Sequence, residues 1–583
     1  MTKREINYDE LENGWENNKG FESCLFVGNN IFNTLYNSKK KQNIKLKFIS
    51  CDFTEIVNFS GFNDISDISL EFEKCFFHKG ISLDNISYRG KFSVTLKNTT
   101  IDQSLSLSWV NRISNSNDIQ DFILIYQCEI TKIEILSTDV NIDIRNTQIK
   151  SGCAIQRIPG YVKIQSSVFN ESTYIGTENA CRIEYSDFKK RSQIRYEGIP
   201  KNEGIRQYLD IKSSSFEEGI IVKHKLEPDP PKNKKKWHLE HLYLEMGSRS
   251  KGEIDISDMG IKRINIKGIN YGTNIRFINI DTDIVEFFNF INYGKLNLYN
   301  VTFTNYEAKL IVENSSLGAA QLSNINLNII KPNQVEIVNS NLLEIIPFNT
   351  QWFKFNNTYL STLKSEKLDK IYELSRQLKV VTEKHGDHIS SLEFRRVEME
   401  AYRFKDKKLE FKDRLILWAG STNDHGSDWF KPLWSLIHFL YLLYAVIVIS
   451  LEMPEIIGTC DALFAVFVPP ILFWLFLSFY EDHRKPHRSS YIPKTGRIII
   501  LCTILFIFWR NLHLIIYSPA WDCIWSNSEY FFKMLNPVMS IDKVFPNRER
   551  FGTLTVIGFF LNHILVSFIV FQVVSAFRKF YQK

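Results

Sequence analysis

Apolar and polar residues alternate in short runs between about residue 20 and residue 358. Runs such as residues 47–53 and 162–169 place two or three alternating apolar residues before a pair of small or polar residues, and a Phe or Leu follows soon after. Alternation puts the apolar side chains on one face of a strand. Ser, Asn and Asp in the pair favour a tight turn because their side chains hydrogen-bond the nearby backbone. The pattern therefore predicts many short strands joined by tight turns.

The strand-and-turn unit recurs at intervals of roughly 20–27 residues, which is typical of a solenoid. Stacked coils bury a continuous apolar column that no single coil could bury alone. We therefore predict a right-handed parallel β-helix over residues 21–358, preceded by a cap segment at residues 1–20. The alternative is one or two antiparallel β-sandwiches. Residues 21–358 contain no Asn-Gly or Asp-Gly pair of the kind that closes two-residue hairpins, which disfavours the sandwiches.

Residues 364–415 change to the period of an α-helix, and a His-Gly-Asp turn divides them into a predicted helical hairpin. In the second helix, Glu398, Glu400 and Arg403 carry opposite charges at short helical spacings. Such residues are often solvated surface pairs. The functional alternative is a connector that couples the solenoid to the C-terminal part of the chain. Trp429 and Pro432, at the entrance to the first hydrophobic segment, are further candidates for that coupling.

Four hydrophobic segments lie in the last quarter of the chain, at positions 433–451, 463–480, 498–517 and 554–576. Each is close to the roughly 20 residues that a helix needs to cross a bilayer. They predict a four-helix transmembrane domain over residues 430–583. Lys and Arg are concentrated before the first segment, between the second and third, and at the tail. The positive-inside rule then places both termini and the solenoid in the cytoplasm.

Composition narrows the functional classes. The net charge of +6 is small for 583 residues and gives no support for nucleic-acid binding. The nine cysteines are scattered without a CxxC pair, which favours free buried thiols over a zinc site or a disulfide framework. The sequence has no secretory h-region near residue 1, no nucleotide-binding loop and no hydrolase motif. We therefore predict no enzyme, metal or cofactor, although a solenoid hydrolase or lyase stays open.

Ionisable residues inside membrane helices are costly and usually face protein or water. The third segment contains Arg510, Asn511 and His513, and the fourth contains Asn562 and His563. On antiparallel helices these two clusters are expected at the same depth, roughly 10 to 14 Å below the outer surface of the hydrocarbon layer.

A second matched pair, His438 and Gln572, is expected nearer the inner face of the membrane. Three interpretations of these polar residues stay open. They could be structural interhelical hydrogen bonds, the lining of an ion pathway, or a lipid or ligand site.

The outer loop at residues 518–552 is unusually apolar, in particular at residues 530–537. It is predicted to dip back into the membrane as a re-entrant pore element, with Asn536 and Pro537 as candidates, or to lie at the interface. It has no TVGYG filter, so potassium selectivity of that type is not expected.

A set of residues spread over positions 365–583 carries a family resemblance, namely Glu398, Met399, Glu400, Gly426, Trp429, Pro432, Asn536, Pro537, Ala576, Phe577, Arg578 and Lys579. With these residues, the stretch resembles a bacterial group of largely uncharacterised membrane proteins. Members of that group have a pentapeptide-repeat-like β-solenoid, a helical hairpin and a channel-like membrane domain. The front half lacks the regular repeat pattern of pentapeptide-repeat proteins, so for that half the resemblance implies only a solenoid. The resemblance implies a channel-like domain and no further activity.

These features together predict a multi-pass protein of the bacterial inner membrane. Its solenoid would sense a cytosolic protein or small-molecule ligand, and its membrane domain would act as an ion-channel-like effector, in stress response or phage defence. Four helices are too few to enclose a pore, so conduction would require a homo-oligomer in the lipid bilayer. The rival is a non-conducting, membrane-anchored scaffold that recruits partners through the solenoid.

Overall fold

The computed structural model divides the chain into two compact units, Met1–Lys354 and Phe355–Lys583. It describes residues 3–452 and 519–581, apart from residues 7, 19, 29–30, 40–41, 114–120, 197–206, 225–238, 306, 332–333, 356–359, 406–409, 411, 414–416, 418–419, 421–429, 537 and 547–551.

The first unit is a β-solenoid of about 12 turns over residues 4–348. In its described residues the strands β1–β32 are, in chain order, Arg4–Glu5, Phe21–Glu22, Cys24–Phe26, Asn43–Ile49, Asp52–Phe53, Val57–Asn58, Asp67–Glu73, Phe76–Phe77, Ile81–Tyr88, Phe92–Lys97, Thr100–Arg112, Phe122–Tyr126, Glu129–Thr138, Asn141–Arg145, Gln148–Ile149, Cys153–Ile158, Tyr161–Gln165, Val168–Phe169, Thr173–Thr177, Ala180–Glu184, Asp187–Phe188, Ser192–Tyr196, Tyr208–Lys212, Ser215–His224, Leu239–Met246, Gly252–Asn270, Asn274–Asn292, Lys295–Phe303, Lys309–Glu313, Gln321–Ser323, Val335–Val338 and Ile346–Phe348. A 3₁₀ turn, Leu327–Ile329, lies in the last coils.

The strands of successive coils pair in parallel and in register. Leu46 pairs with Leu70, and Leu70 pairs with Val94 in the next coil. Identical positions therefore stack along the solenoid, as in the pairs of stacked rings Phe48–Phe72 and Phe53–Phe77. This pairing confirms the predicted solenoid and rules out the antiparallel sandwiches for the described strands. The right hand of the helix stays a prediction.

The small or polar pair of each repeat forms a corner, and the two residues of the pair have different roles. The first member, such as Ser50 or Asn146, takes a positive φ of 54° or 51°. Asn, Asp and Ser tolerate this left-handed conformation better than β-branched residues do. The second member, such as Thr147 or Ser167, turns inward and is buried. Its hydroxyl donates to the carbonyl two residues earlier, at 2.9 Å in both cases.

The N-terminal end of the solenoid is covered by two helices, α1 (Tyr8–Asn17) and α2 (Ile31–Lys39). Trp15 of α1 is buried, with ring centroids 6.3 Å from Phe32 of α2 and 6.1 Å from Phe62. These rings cover the apolar column where it would otherwise face water, which is the role of a capping element in a solenoid.

The second unit begins with two long helices, α3 (Ser365–Lys384) and α4 (His388–Lys405). Between them Gly386 has a φ of +77°, and Asp387 accepts a hydrogen bond from the Ser390 amide at 3.1 Å. A glycine at the end of one helix and an aspartate capping the next give the sharp reversal of a helical hairpin.

The described remainder of the second unit contains five helices. They are α5 (Phe430–Glu452), α6 (Pro519–Ser526), α7 (Ser528–Met534), α8 (Ile541–Val544) and α9 (Thr553–Tyr581). Among the described residues one helix, at Thr555–Ser575, is long and apolar enough to cross a membrane, and Phe439–Ile449 is a shorter apolar stretch. The predicted segments 463–480 and 498–517 lie outside the described residues. The four-helix domain and its multi-pass topology therefore remain proposals.

Candidate functional site

The candidate site is built on the contact between α5 and α9. A Cβ atom on Gly558 of α9 would lie 3.0 Å from Cγ1 of Ile447 in α5, so glycine at this position allows the two helices to approach closely. Small residues serve the same purpose at helix contacts in membranes. The contact face of α9 is otherwise apolar except at Thr555 and Asn562, which are both fully or almost fully buried.

The predicted outer loop is folded rather than extended. Its three short helices, α6 to α8, pack onto α5 and α9 in one apolar cluster that includes Ile524, Met534 and Phe545. The Tyr444 hydroxyl of α5 donates to the Ile524 carbonyl at 2.5 Å. Of the aromatic residues that made this loop look too apolar for free solvent, Tyr530 and Phe531 pack against the cluster, whereas Phe532 is exposed.

Asn562 ties this folded loop to α9. Its side chain is 0% exposed, and its Nδ2 donates to the Met534 carbonyl at 3.0 Å. Met534 ends α7, so its carbonyl is one of those that a helix leaves without an intrahelical partner. The Oδ1 atom of Asn562 is also buried, and it has no hydrogen-bond partner in the described part of the chain. A buried amide oxygen without a partner costs about 1–3 kcal/mol.

His563 makes a second tie one residue later. Its Nε2 lies 2.9 Å from the Met539 carbonyl, and its Nδ1 lies 3.0 Å from the Phe559 carbonyl of the preceding turn. Both neighbours are acceptors, and a neutral imidazole carries a single N–H to donate. A neutral ring holds the loop through Nε2–H or stabilises its own helix through Nδ1–H, and an imidazolium donates at both positions.

The hydrogen bonds of Asn562 and His563 to the loop fix the position of the loop along the axis of α9. The membrane-length stretch of this helix begins at Thr555. At the rise of an α-helix, Asn562 and His563 lie roughly 10–12 Å further along its axis. The carbonyls of Met534 and Met539 are at the same level. Between them, Asn536 is exposed and its Oδ1 accepts from the Val538 amide at 3.1 Å, which shapes the turn.

The other residues predicted for the intramembrane cluster are described only in part. Arg510, Asn511 and His513 lie outside the described residues, as does Pro537. His438 lies within α5, but its side chain is outside the description. Gln572 is half-buried on α9, almost three turns beyond Asn562. The structure thus brings Asn562 and His563 together with the loop. The predicted match with the third segment stays a prediction.

Three of the predicted coupling residues, Glu398, Glu400 and Arg403, lie on α4 of the hairpin, and α4 contacts α9. Glu398 is buried and its carboxylate lies 2.6 Å from the Lys379 ammonium of α3. Glu400 is also buried, with a carboxylate oxygen 3.8 Å from Arg403. The interpretation as solvated surface pairs is therefore wrong for the two carboxylates. Trp429 is outside the described residues, and Pro432 lies in the first turn of α5.

The sequence did not indicate the residues that join the loop to α5 and α9, which are Tyr444, Ile524, Met534 and Met539. It also did not indicate that Lys379 pairs with Glu398. Three of the four joining residues contribute backbone carbonyls, whose positions follow from tertiary packing and leave no trace in residue type. The excess of apolar residues at 530–537 was the one available signal that the loop packs against something.

The described residues contain no group of three or more His, Cys, Asp or Glu side chains that could hold a metal ion. The structure has an N-terminal β-solenoid and an apolar C-terminal helix, and the class of protein and its bacterial origin stay predictions. No family model matches the chain, and neither a curated protein nor a solved structure matches it.

Proposed function

We propose that the chain is a multi-pass protein of the bacterial inner membrane, with both termini in the cytoplasm. Its C-terminal domain would form an ion-conducting homo-oligomer controlled by the solenoid. The observation that carries the proposal is the attachment of the loop at Met534–Met539 to Asn562 and His563, well inside a membrane-length apolar helix.

The outer face of α9 supports the membrane assignment. The apolar side chains exposed on that face are Val556, Ile557, Phe560, Leu561, Ile564, Val570, Phe571 and Val574. Soluble monomers rarely expose a contiguous apolar surface of this extent. The 21 residues of Thr555–Ser575 span about 30 Å as a helix, which matches the hydrocarbon layer. Lipid chains are the natural covering for such a face.

The depth of the loop supports conduction. If α9 spans the bilayer, the Met534 and Met539 carbonyls lie roughly 10–12 Å below the start of the span. Irregular backbone at membrane depth is tolerated where it is buried in protein or lines a water-filled cavity. Re-entrant elements in channels meet this condition and present backbone carbonyls to ions. The Oδ1 of Asn562, which has no hydrogen-bond partner among the described residues, would add an uncharged oxygen at that level.

The long solenoid supports a regulatory role, since stacked coils offer an extended surface to a protein or small-molecule ligand. The contact of the hairpin with α9 provides a route by which a change in the hairpin could reach the loop. A channel that opens on a cytosolic signal would suit a stress or phage-defence effector. That biological setting rests on analogy with membrane-depolarising effectors.

A second candidate, a non-conducting membrane scaffold, is favoured by one observation. Asn562 Nδ2 and a nitrogen of His563 already have hydrogen-bond partners within the loop, and such bonds can serve purely to stabilise a membrane bundle. In this case the solenoid would recruit partners and the membrane domain would only anchor it.

Ion flux from liposomes that contain the full-length protein separates the two candidates. The channel proposal expects flux that His563→Ala and Arg510→Ala alter at least several-fold. Ile564→Ala is the matched control, because it is the next residue on α9 and lies exposed on the apolar face. Liposomes that stay sealed both alone and with added cell extract would exclude the channel and leave the scaffold.

A further inference from the structure

Three cysteines occupy one corner position in three consecutive coils of the solenoid. Cys24, Cys51 and Cys75 each follow a residue with positive φ, namely Ser23, Ser50 and Lys74. The strands on either side are in register: Phe21 pairs with Phe48, Leu25 with Asp52, Ile49 with Glu73 and Asp52 with Phe76. The three thiols therefore stack along the solenoid axis, with side chains that are 8%, 0% and 3% exposed.

The spacing of parallel coils suits a disulfide between neighbours. Adjacent strands lie about 4.8 Å apart, within the Cα separation of roughly 4.4–6.8 Å that disulfides require. The Cys51 thiol donates to the Phe21 carbonyl of the preceding coil at 3.5 Å, and the Cys75 thiol donates to the Phe48 carbonyl at 3.4 Å, so each thiol reaches the neighbouring coil. Cys24 and Cys75 are two coils apart, at about 9.6 Å, which is too far for a bond. Every disulfide this cluster can form must therefore include Cys51.

The remaining cysteines of the solenoid have other residue types at the paired positions of the neighbouring coils. At the same corner position, Cys128 follows Thr99 and precedes Thr147 along the stack. Cys153 pairs with Ile133 and Thr173, and Cys181 pairs with Val162 and Leu209. The molecule thus contains its own isolated thiols for comparison with the cluster.

We propose that the cluster is a site of oxidation by hydroperoxides, at which Cys51 forms a disulfide with Cys24 or Cys75. One thiolate attacks the peroxide oxygen, giving a sulfenic acid and releasing water from hydrogen peroxide or an alcohol from an organic peroxide. The neighbouring thiol then displaces the sulfenic hydroxyl as water, and the S–S bond forms. The two sulfurs together supply the two electrons that reduce the peroxide. A small thiol reductant reverses the change.

The three thiols of the cluster differ in their ionisation. The interaction with Cys51 lowers the pKa of Cys75, the same interaction and burial raise the pKa of Cys51, and burial raises the pKa of Cys24. Burial alone raises the pKa of Cys153 to about 12, and it raises the pKa of Cys128 to about 11. Because the thiolate is the reactive form, Cys75 is the member of the cluster that we expect to attack the peroxide.

Peptide mapping of the full-length protein tests the proposal. The protein is treated with hydrogen peroxide, its remaining thiols are alkylated under denaturing conditions, and the digest is analysed without reduction. We expect disulfide-linked peptides that join Cys51 to Cys24 or Cys75, that disappear on reduction, and that are lost in Cys51→Ser.

Cys128→Ser is the matched control, and it should retain the same linked peptides. Serine occupies the equivalent corner at Ser167 and Ser186, so both variants keep a residue that the position accepts. Full alkylation of all three cysteines after peroxide treatment of the wild-type chain would overturn the proposal. So would a predominant disulfide that does not contain Cys51.

Discussion

At the residue scale, the corner pairs show which features of a solenoid can be predicted from sequence and which cannot. The small or polar pair predicted a turn because the side chains of Asn, Ser and Asp hydrogen-bond the nearby backbone. That its first member takes the left-handed conformation and its second enters the core follows from coil stacking. Thr147, for example, accepts a hydrogen bond from the Cys128 amide of the preceding coil at 3.4 Å. Such a bond joins residues in different coils and has no local signal.

Asn146 provides a direct test of the corner. It is exposed and has a φ of 51°. This region of φ costs a β-branched residue roughly 1–2 kcal/mol. We expect Asn146→Val to lower the free energy of unfolding by about that amount, and Asn146→Gly to change it by less, as measured by denaturant titration. Gln148→Val is the matched control, because Gln148 is exposed in a strand, where valine is favoured. Equal losses at both positions would argue against a conformational cause.

At the element scale, long periodic segments were predictable and irregular ones were not. The predicted segment 554–576 lies inside α9, and the hairpin turn lies at its Gly-Asp pair, because these features depend on local periodicity and capping. The three short helices of the outer loop had no such periodicity to indicate their bounds. Their bounds follow from contacts with Tyr444, Asn562 and His563, which are distant in sequence.

The ion pair inside the hairpin is the element-scale prediction. Lys379→Ala leaves the buried Glu398 carboxylate without its cation, and removal of one partner of a buried pair typically costs about 3–5 kcal/mol. The Lys379 side chain is still 24% exposed, so water compensates part of that loss. We therefore expect a loss of about 2–4 kcal/mol, seen as faster hydrogen exchange throughout α4.

The exposed pair Lys370–Glu366 of α3 is the control for this experiment. Lys370→Ala should change stability by less than about 1 kcal/mol, because surface ion pairs contribute little. The double variant Lys379→Met with Glu398→Leu should recover most of the loss, since it leaves no charge buried. Similar exchange rates in Lys379→Ala and Lys370→Ala would mean that the buried pair does not hold the hairpin.

At the scale of the whole molecule, the sequence predicted a β-solenoid followed by an apolar C-terminal part, and the structure has a β-solenoid over residues 4–348 and an apolar helix at Thr555–Ser575. Hydrophobic periodicity is sufficient for that, because stacked coils and long apolar helices repeat one local pattern many times. The attachment of the loop to α9 was not predictable, since it depends on backbone carbonyls. It is nevertheless the feature from which the proposed function is drawn.

The membrane assignment gives the whole-molecule prediction. Phe571 on α9 and Tyr293 on the solenoid are almost equally exposed, at 66% and 70%. In water, Phe571→Cys and Tyr293→Cys would therefore react at similar rates with a charged, membrane-impermeant maleimide. In sealed vesicles with the solenoid outward, we expect Tyr293→Cys to be labelled and Phe571→Cys to be protected by lipid chains at least tenfold, measured by the mass shift of the intact protein. Comparable labelling of the two variants would place α9 in water and remove the basis for a membrane effector. Protection of Phe571→Cys that is lost when the vesicles are dissolved would assign the apolar face of α9 to the bilayer.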